Sequence, residues 1–549
     1  MATCAVTCRR LITHKSPTYW PPSLLATHKP LERSTDGETF LKLKNCSLNA
    51  GGIPDRSREP FLLPACPNMA QNGLHGGTLY LDYNATTPVD PRVFNALSCF
   101  LEERFGNPSS KHALGYDAGK QVTEARCSVA KALGTSPKCI VFTSGATESI
   151  NWALRSAAKL RRISGAAKPG RVVTCALEHP AVLRVCEHLR DEDGYELCLC
   201  RVSSSGLVDL SELKNLLTPC VRITRCILRL QTVVVSIPFA NGEIGAVQPM
   251  KEVVALVRSA CPLALIHADA SQAFGKVPVH PESLGVDLLT IAGHKVYAPK
   301  GIGALYIRES LQLPPLILGG GQERGLRGGT ENVAFIIGLA QASELIHKSW
   351  QQPRVSSTHQ DVVTAANLAA AHADSTKPRE SSNPQLLHPT HLGFVARVFV
   401  EALWTALEGA TKANRKKLSE WISINGPLGS EDFTVQQQWL PGTIHLSIKN
   451  ADGVEVSQGL AKEEGMLISA GVSCHQGKSA SGALVAMGIS EEWAMGSLRI
   501  SIGERDDSFR GLALQEHSPR SMAKGINSFR RDGTLRMCKR CPLYKCLVL

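Results

Sequence analysis

Among the 549 residues, the first chemically suggestive feature is a lysine that follows directly on an apolar run. Gly293-His294-Lys295 comes straight after Val286 to Ile291, which reads as a buried parallel strand. Open α/β sheets build their sites beyond the carboxyl ends of such strands, and a desolvated amine there has a lowered pKa suited to Schiff-base chemistry. Standing alone, Lys295 reads equally as a surface lysine in a βα turn. It does not stand alone: 26 residues upstream, His267-Ala268-Asp269-Ala270-Ser271-Gln272 closes another apolar strand. One βαβ unit therefore delivers Asp269 and Lys295 to the same sheet edge.

A lysine that forms a Schiff base, together with a carboxylate for a pyridinium nitrogen, is the pair that pyridoxal phosphate requires, because a protonated ring nitrogen makes the ring an electron sink. A phosphate site is legible further upstream, where the strand Ile140 to Phe142 runs into Thr143-Ser144-Gly145-Ala146-Thr147-Glu148-Ser149 and then a helix. Small residues let backbone N–H groups at a helix N-terminus approach a phosphate, and the hydroxyls add donors. The same segment also reads as a capped helix start. Cys474 sits in a Gly/Ser-rich loop, Ser469 to Gly477, where a thiol is exposed enough to act as a nucleophile; the alternative is an incidental loop cysteine.

These residues need a scaffold, and the pattern supplies one. With 43% apolar and 20% charged residues the chain has a globular composition, and no apolar run is long enough to span a membrane. The net charge of +12 gathers at the ends: residues 1–76 carry nine Lys/Arg against five Asp/Glu, and residues 510–549 carry nine against two. The body is close to neutral, which argues against nucleic-acid binding by the fold. Short β-branched runs (Ile140 to Phe142, Arg171 to Thr174, Val233 to Ser236, Leu263 to Ile266, Val286 to Ile291, Gly303 to Ile307) alternate with helical ones up to about residue 345. That alternation predicts an α/β fold with a mostly parallel sheet covered on both faces.

The expected organisation is a leader or disordered extension over 1–76, a large domain over 77–345, a linker or insertion over 346–394, a smaller α+β domain over 395–503 with a strand at Thr443 to Ile448, and a poorly ordered basic tail over 504–549. The 18 scattered cysteines and the lack of an apolar signal core favour a reducing compartment. Cys538, Cys541 and Cys546 lack a fourth ligand and read as unpaired thiols in preference to a zinc site, so no metal is expected. The acid-free, basic first 31 residues suit an organellar transit peptide, while Met69 offers an alternative start; the reading is cytosolic or mitochondrial.

Several ordered segments resemble one family: Tyr80-Leu81-Asp82-Tyr83-Asn84-Ala85-Thr86-Thr87-Pro88, Gly106-Asn107-Pro108-Ser109-Ser110, Ser144 to Ser149, Glu178-His179, Gly293-His294-Lys295, and Gly319 to Asn332. The chain resembles the NifS-like group of class V aminotransferase enzymes, the cysteine desulfurases and selenocysteine lyases. The resemblance implies a fold-type I architecture with a seven-stranded type of sheet, pyridoxal 5'-phosphate as cofactor and an active homodimer. By resemblance Lys295 holds the cofactor covalently, Asp269 pairs with the pyridine nitrogen, Gln272 reaches the ring oxygen and His179 stacks on the ring. Ala146, Thr147 and His294 hold the phosphate, with Thr330 reaching in from a second subunit. Arg499 binds the substrate carboxylate, with Asn107 also on the substrate side, and Cys474 is the catalytic thiol.

Two departures from the family pattern stand out. Asn241-Gly242-Glu243 replaces the Asn-Asn-Glu of many relatives, and Ala292 replaces a serine that would add a phosphate hydroxyl. The implied reaction removes sulfur or selenium from L-cysteine or L-selenocysteine to leave L-alanine, with an acceptor protein taking the sulfur or selenium. His475 after Cys474 and Tyr306-Ile307-Arg308 look more like selenocysteine lyases, whereas the rest of the loop resembles desulfurases. The rival readings are another class V enzyme acting on aspartate-like or kynurenine-like substrates, and a non-catalytic scaffold.

Overall fold

The computed structural model describes residues 79–164, 169–217, 231–352, 389–411, 413–471 and 480–503. The expected leader or extension, the basic C-terminal segment with its three cysteines, most of the expected linker and residues 472–479, Cys474 among them, lie outside the described residues.

The large sheet has seven strands: β2 (Ile140–Thr143), β3 (Arg171–Cys175), β4 (Glu196–Cys200), β5 (Thr232–Pro238), β6 (Leu265–Asp269), β7 (Leu288–Ala292) and β8 (Gly303–Ile307). Their order is β2-β8-β7-β6-β5-β3-β4, and β8 alone runs antiparallel to its neighbours. Strands β5, β7 and β8 are buried along their whole length, as expected of strands with helices on both faces. Those helices are α1 (Pro91–Glu102), α2 (Ala113–Leu133), α3 (Ala146–Ile163), α4 (Pro180–Asp191), α5 (Leu210–Leu217), α6 (Met250–Ala260), the single turn α7 (Pro281–Leu284) and α8 (Val333–Ser349). Helix α8 packs on α1 and α2, where Gly338 lets Leu97 and Pro299 come within 3.0 Å of where a Cβ would stand.

The sequence pattern finds six of these strands and misses β4. Its residues, Glu196-Leu197-Cys198-Leu199-Cys200, are not β-branched and lie at the sheet edge with Leu199 exposed, so they lack the continuous apolar signature of the central strands. Strand β6 begins two residues later than its apolar run, because Cys261 to Ala264 form a turn in which the Ala264 N–H donates to the Cys261 carbonyl.

A second core is built on a four-stranded antiparallel sheet ordered β12-β13-β10-β9, with β9 at Ile422–Ile424, β10 at Thr443–Ile448, β12 at Ser469–Ala470 and β13 at Ser497–Ser501. Ile444, Leu446, Ile448, Leu498 and Ile500 face one cluster, together with Leu392, Phe399, Leu403 and Leu407 of α9 (Thr390–Thr411). Period-two alternation then puts Thr443, His445, Ser447, Ser497, Arg499 and Ser501 on the opposite face. The first described strand, β1 (Leu79–Tyr80), falls by sequence boundaries in the large domain, yet it pairs in parallel with β11 (Met466–Leu467), and Leu79 and Leu81 join the second core. The start of the described chain is thereby fastened to the second core.

Candidate active site

Strands β6 and β7 are parallel neighbours with Asp269 opposite Thr290, so Asp269 and the turn Gly293–Lys295 emerge at the same sheet edge. The Lys295 Nζ donates to the carbonyl of Ala85 at 2.8 Å and to that of Asn84. Burial lowers its pKa to about 8, and Arg499 pushes the same way against the pull of Asp82 and Asp269. An amine in that state is neutral often enough near neutral pH to act as a nucleophile or base. Asp269 is 8% exposed, and its Oδ1 accepts from the N–H and hydroxyl of Ser271 at 2.9 and 2.5 Å.

Behind Asp269 runs a buried polar chain that sequence reasoning missed. Ser236 Oγ on β5 donates to Glu178 Oε1 at 2.9 Å and bonds His267 Nδ1 at 2.9 Å, while His267 Nε2 bonds Thr290 Oγ1 at 3.0 Å. All four residues are buried, and burial lowers the His267 pKa to about 4, so the ring is neutral. Burial next to Asp269 raises the Glu178 carboxyl well above the usual range. The sequence signal was present as a polar residue inside each of three apolar strands, but which of them meet depends on strand order.

The N-terminus of α3 is open. Its N-cap, Gly145, has no side chain to accept from the first turn, and Thr147 is exposed beside it. Gly303 on β8 passes so close that a Cβ there would lie 2.9 Å from the Gly145 backbone; its cross-strand partner is Ala292, which precedes Gly293-His294-Lys295. Ala146 and Thr147 are thus brought to the same edge as Lys295. His294 Nδ1 shares a 3.2 Å hydrogen bond with Thr86 Oγ1, and burial with the nearby Lys295 charge lowers its pKa to about 4. His179 caps α4, its Nδ1 accepting from the Ala181 N–H at 3.1 Å, and the residue is exposed.

The loop carrying Thr330 is fastened from beneath. Arg126 donates to both oxygens of Glu323 at 2.7 Å, a bidentate pair in the core, and Glu323 also accepts from the Phe142 N–H at 2.9 Å. Glu323 and Arg324 hold φ angles of 48° and 62°, strained for side-chain-bearing residues and sustained by these bonds. Arg327 donates to Glu148 of α3 at 3.0 and 3.2 Å; burial would raise the Glu148 pKa, but Arg327 and Ser144 outweigh it and hold it below the usual range. Thr330 itself is exposed.

Arg499 lies on the polar face of the small sheet. Its Nη2 donates to Asp82 Oδ1 at 2.7 Å and to Ser469 Oγ at 3.1 Å, and its Nη1 reaches the Gly242 carbonyl at 3.4 Å. Asn84, quoted in a motif without a role, joins the two sheets: its Nδ2 donates to Gly242 O and Thr443 Oγ1, both at 2.9 Å, its Oδ1 accepts from Lys276 Nζ at 2.6 Å, and its carbonyl accepts from Gln272 and Lys295. Gln272 fills the space a side chain at 242 would need, since a Cβ there would fall 2.5 Å from the Gln272 amide. Glycine at 242 is therefore matched to the position of Gln272. Asn107 stands in an exposed turn where its Oδ1 accepts from the Ser109 N–H at 2.9 Å, a contact within its own loop.

The profile described as aminotransferase class-V matches residues 79–388. The chain is 41% identical over 277 residues to the cysteine desulfurase IscS of Rickettsia rickettsii (strain Iowa), covering 50% of this chain and 63% of that protein. It is 42% identical over 299 residues to a mitochondrial cysteine desulfurase of Arthroderma benhamiae, covering 54% of this chain and 56% of that one. The chain thus spans less than two thirds of the length of these curated relatives. Among solved structures, one described as a NifS-like protein superposes with a TM-score of 0.61 at 31% identity, over 82% of this chain and 100% of the other. With more than half of its length matched, and with the matched segment supplying the edge of β6 and β7, the open start of α3 and the Glu323 loop, the chain belongs to the class-V aminotransferase family.

Proposed function

We propose that this protein is a pyridoxal-phosphate lyase that removes sulfur or selenium from L-cysteine or L-selenocysteine and leaves L-alanine. The observation that carries the reading is the meeting of Lys295, with its pKa lowered to about 8, and buried Asp269 at the ends of adjacent parallel strands. Members of the family depend on pyridoxal phosphate, and the residues here fit it. The amine is poised for covalent attachment, the carboxylate suits a protonated ring nitrogen, and the glycine-lined start of α3 leaves its N–H groups without a side-chain acceptor. Lys295, Asp269, His179, Gln272, Ala146, Thr147 and His294 would hold it, with Thr330 supplied by a second copy of the chain in a homodimer.

The cofactor, when bound, supplies an electron sink for charge developing at the substrate α-carbon. The chain's own residues do the rest. Arg499 binds and orients the substrate carboxylate, with Asn107 on the same side. Lys295 Nζ takes the proton from the α-carbon and returns one to the alanine product. Cys474 Sγ, as thiolate, attacks the substrate's sulfur or selenium; the carbon–sulfur or carbon–selenium bond breaks with its electron pair left on carbon, and the terminal atom remains on Cys474 until an acceptor protein takes it. Similarity to cysteine desulfurases, one of them named as mitochondrial, supports this substrate class and a mitochondrial or cytosolic setting.

Lys295→Ala is the first test: the purified variant should lack the visible-edge absorbance and the borohydride-reducible adduct of the parent, and retention of that adduct refutes the reading. In Cys474→Ala, cysteine should still perturb the cofactor absorbance while sulfide and alanine release stop. An unchanged alanine yield would remove Cys474 from the mechanism. Running the same variant with selenocysteine reports the substrate preference, since carbon–selenium bonds break more easily without nucleophilic attack.

A further inference from the structure

Strand β3 ends at Cys175, and the Glu178 N–H turns back onto the Cys175 carbonyl at 3.2 Å. Glu178 is buried, whereas the next residue, His179, is exposed as the N-cap of α4. From Glu178 three hydrogen bonds cross the sheet to Ser236 of β5, His267 of β6 and Thr290 of β7, at 2.9, 2.9 and 3.0 Å. Their direction is fixed. Ser236 spends its single hydroxyl hydrogen on Glu178 Oε1, so its oxygen accepts from His267 Nδ1–H, and the neutral ring leaves Nε2 to accept from the Thr290 hydroxyl. Every donor in this polar row points toward Glu178. Because β5 stands between β3 and β6, the row ties the loop carrying His179 to the strand carrying Asp269, two residues beyond His267. We infer that Glu178 and Ser236 are positioning residues, which hold His179 at a fixed separation from Asp269 so that one ring meets both. The inference rests on His179 and Asp269 as cofactor-contacting groups and deepens the reading of that same site.

A planar ring that stacks on His179 and pairs through its nitrogen with Asp269 fits only when the two side chains stand at one separation. The bonds that these two residues make do not set it. His179 Nδ1 is spent on the Ala181 N–H of its own helix, and Asp269 Oδ1 on Ser271, two residues along. The polar row does span the gap, and its far end, Thr290, is the register partner of Asp269 on β7. All four of its residues are at most 4% exposed, so no water competes for these bonds. Burial and the nearby Asp269 charge outweigh the Ser236 and His179 donors and favour the uncharged form of the Glu178 carboxyl. What Ser236 needs from position 178 is therefore an acceptor of the right length, not a charge.

The test reads the affinity of the full chain for pyridoxal 5'-phosphate, titrated by absorbance after the cofactor is stripped. Ser236→Ala cuts the row at its middle and should raise the half-saturating concentration about tenfold. Should that variant not accumulate, Ser236→Cys keeps the volume and weakens the same bonds. Glu178→Gln retains an uncharged acceptor and should stay within about threefold of the parent, whereas Glu178→Leu should lose about as much as Ser236→Ala. In a His179→Ala background, Ser236→Ala should cost less than about twofold, because the row then has no ring contact left to position. Losses that simply add would make the row general packing and overturn the inference. An unchanged affinity in the Ser236 variant, or a Glu178→Gln as weak as Glu178→Leu, overturns it as well. The underlying reading fails separately: if the parent takes up no cofactor, or His179→Ala alone leaves the affinity unchanged, the fault lies in the cofactor site as assigned and the inference falls with it.

Discussion

The two sheets position charge in opposite ways. In the large sheet the central strands are buried, and Asp269 and Lys295 stand at or just beyond strand ends, where the backbone turns and side chains reach the edge. In the small sheet Arg499 sits in mid-strand on β13, with His445 as its cross-strand partner on β10 and a row of buried hydroxyls beside it. An edge charge needs only a strand that ends in the right place. A mid-strand charge needs something opposite to satisfy it, and here Asp82 and the Gly242 carbonyl come from segments more than 200 residues away in sequence. The edge can be read as local motifs, whereas the polar face acquires meaning only when both units are assembled.

The largest effect should come from the edge. Asp269→Ala is expected to bind the cofactor yet lose turnover by at least about a hundredfold, because the ring nitrogen loses its negatively charged partner. Turnover within a few-fold of the parent would remove the distinction between the two sheets. Arg499→Lys keeps the charge on the small sheet and removes the planar fork. A rise of about tenfold in KM for cysteine, with a smaller change in kcat, is expected from steady-state kinetics; a change confined to kcat would make the polar face part of the chemical step.

The Lys295 pKa gives a pH test on cofactor-free protein. Only the neutral amine can capture the cofactor, so the capture rate followed by absorbance should rise with pH and level off above about 8, the value to which burial and Arg499 lower this lysine. A rise continuing to pH 10 would mean an ordinary solvated lysine. The smallest effect belongs to His445, buried and pushed down to about 3, hence neutral throughout the working range. His445→Asn should leave the shape of the pH profile of turnover between 6 and 9 unchanged, and loss of a titration there would show that this ring carries a proton after all.

The parts of the molecule that are legible in the sequence are legible through local causes. Continuous β-branched runs announced the central strands, and residues clustered at their ends announced Lys295, Asp269 and the start of α3, because a chemical group at a strand end needs no distant partner to be recognisable. Strand β4 escaped because Glu196-Leu197-Cys198-Leu199-Cys200 carries little β-branched character. Asn84 and Asp82 were visible as motif letters without a role.

What tertiary structure alone decided is the set of meetings between segments far apart in the chain. Strand order brings Glu178, Ser236, His267 and Thr290 into one buried chain; the pairing of β1 with β11 fastens Asp82 beside Arg499; and the approach of Gln272 leaves room only for glycine at 242. Composition and periodicity determine which side chains turn inward, since that follows from hydrophobic burial along a single strand or helix. They do not determine which inward-facing polar groups satisfy one another, because that depends on hydrogen-bond distances between strands whose neighbours are fixed only by the packed fold.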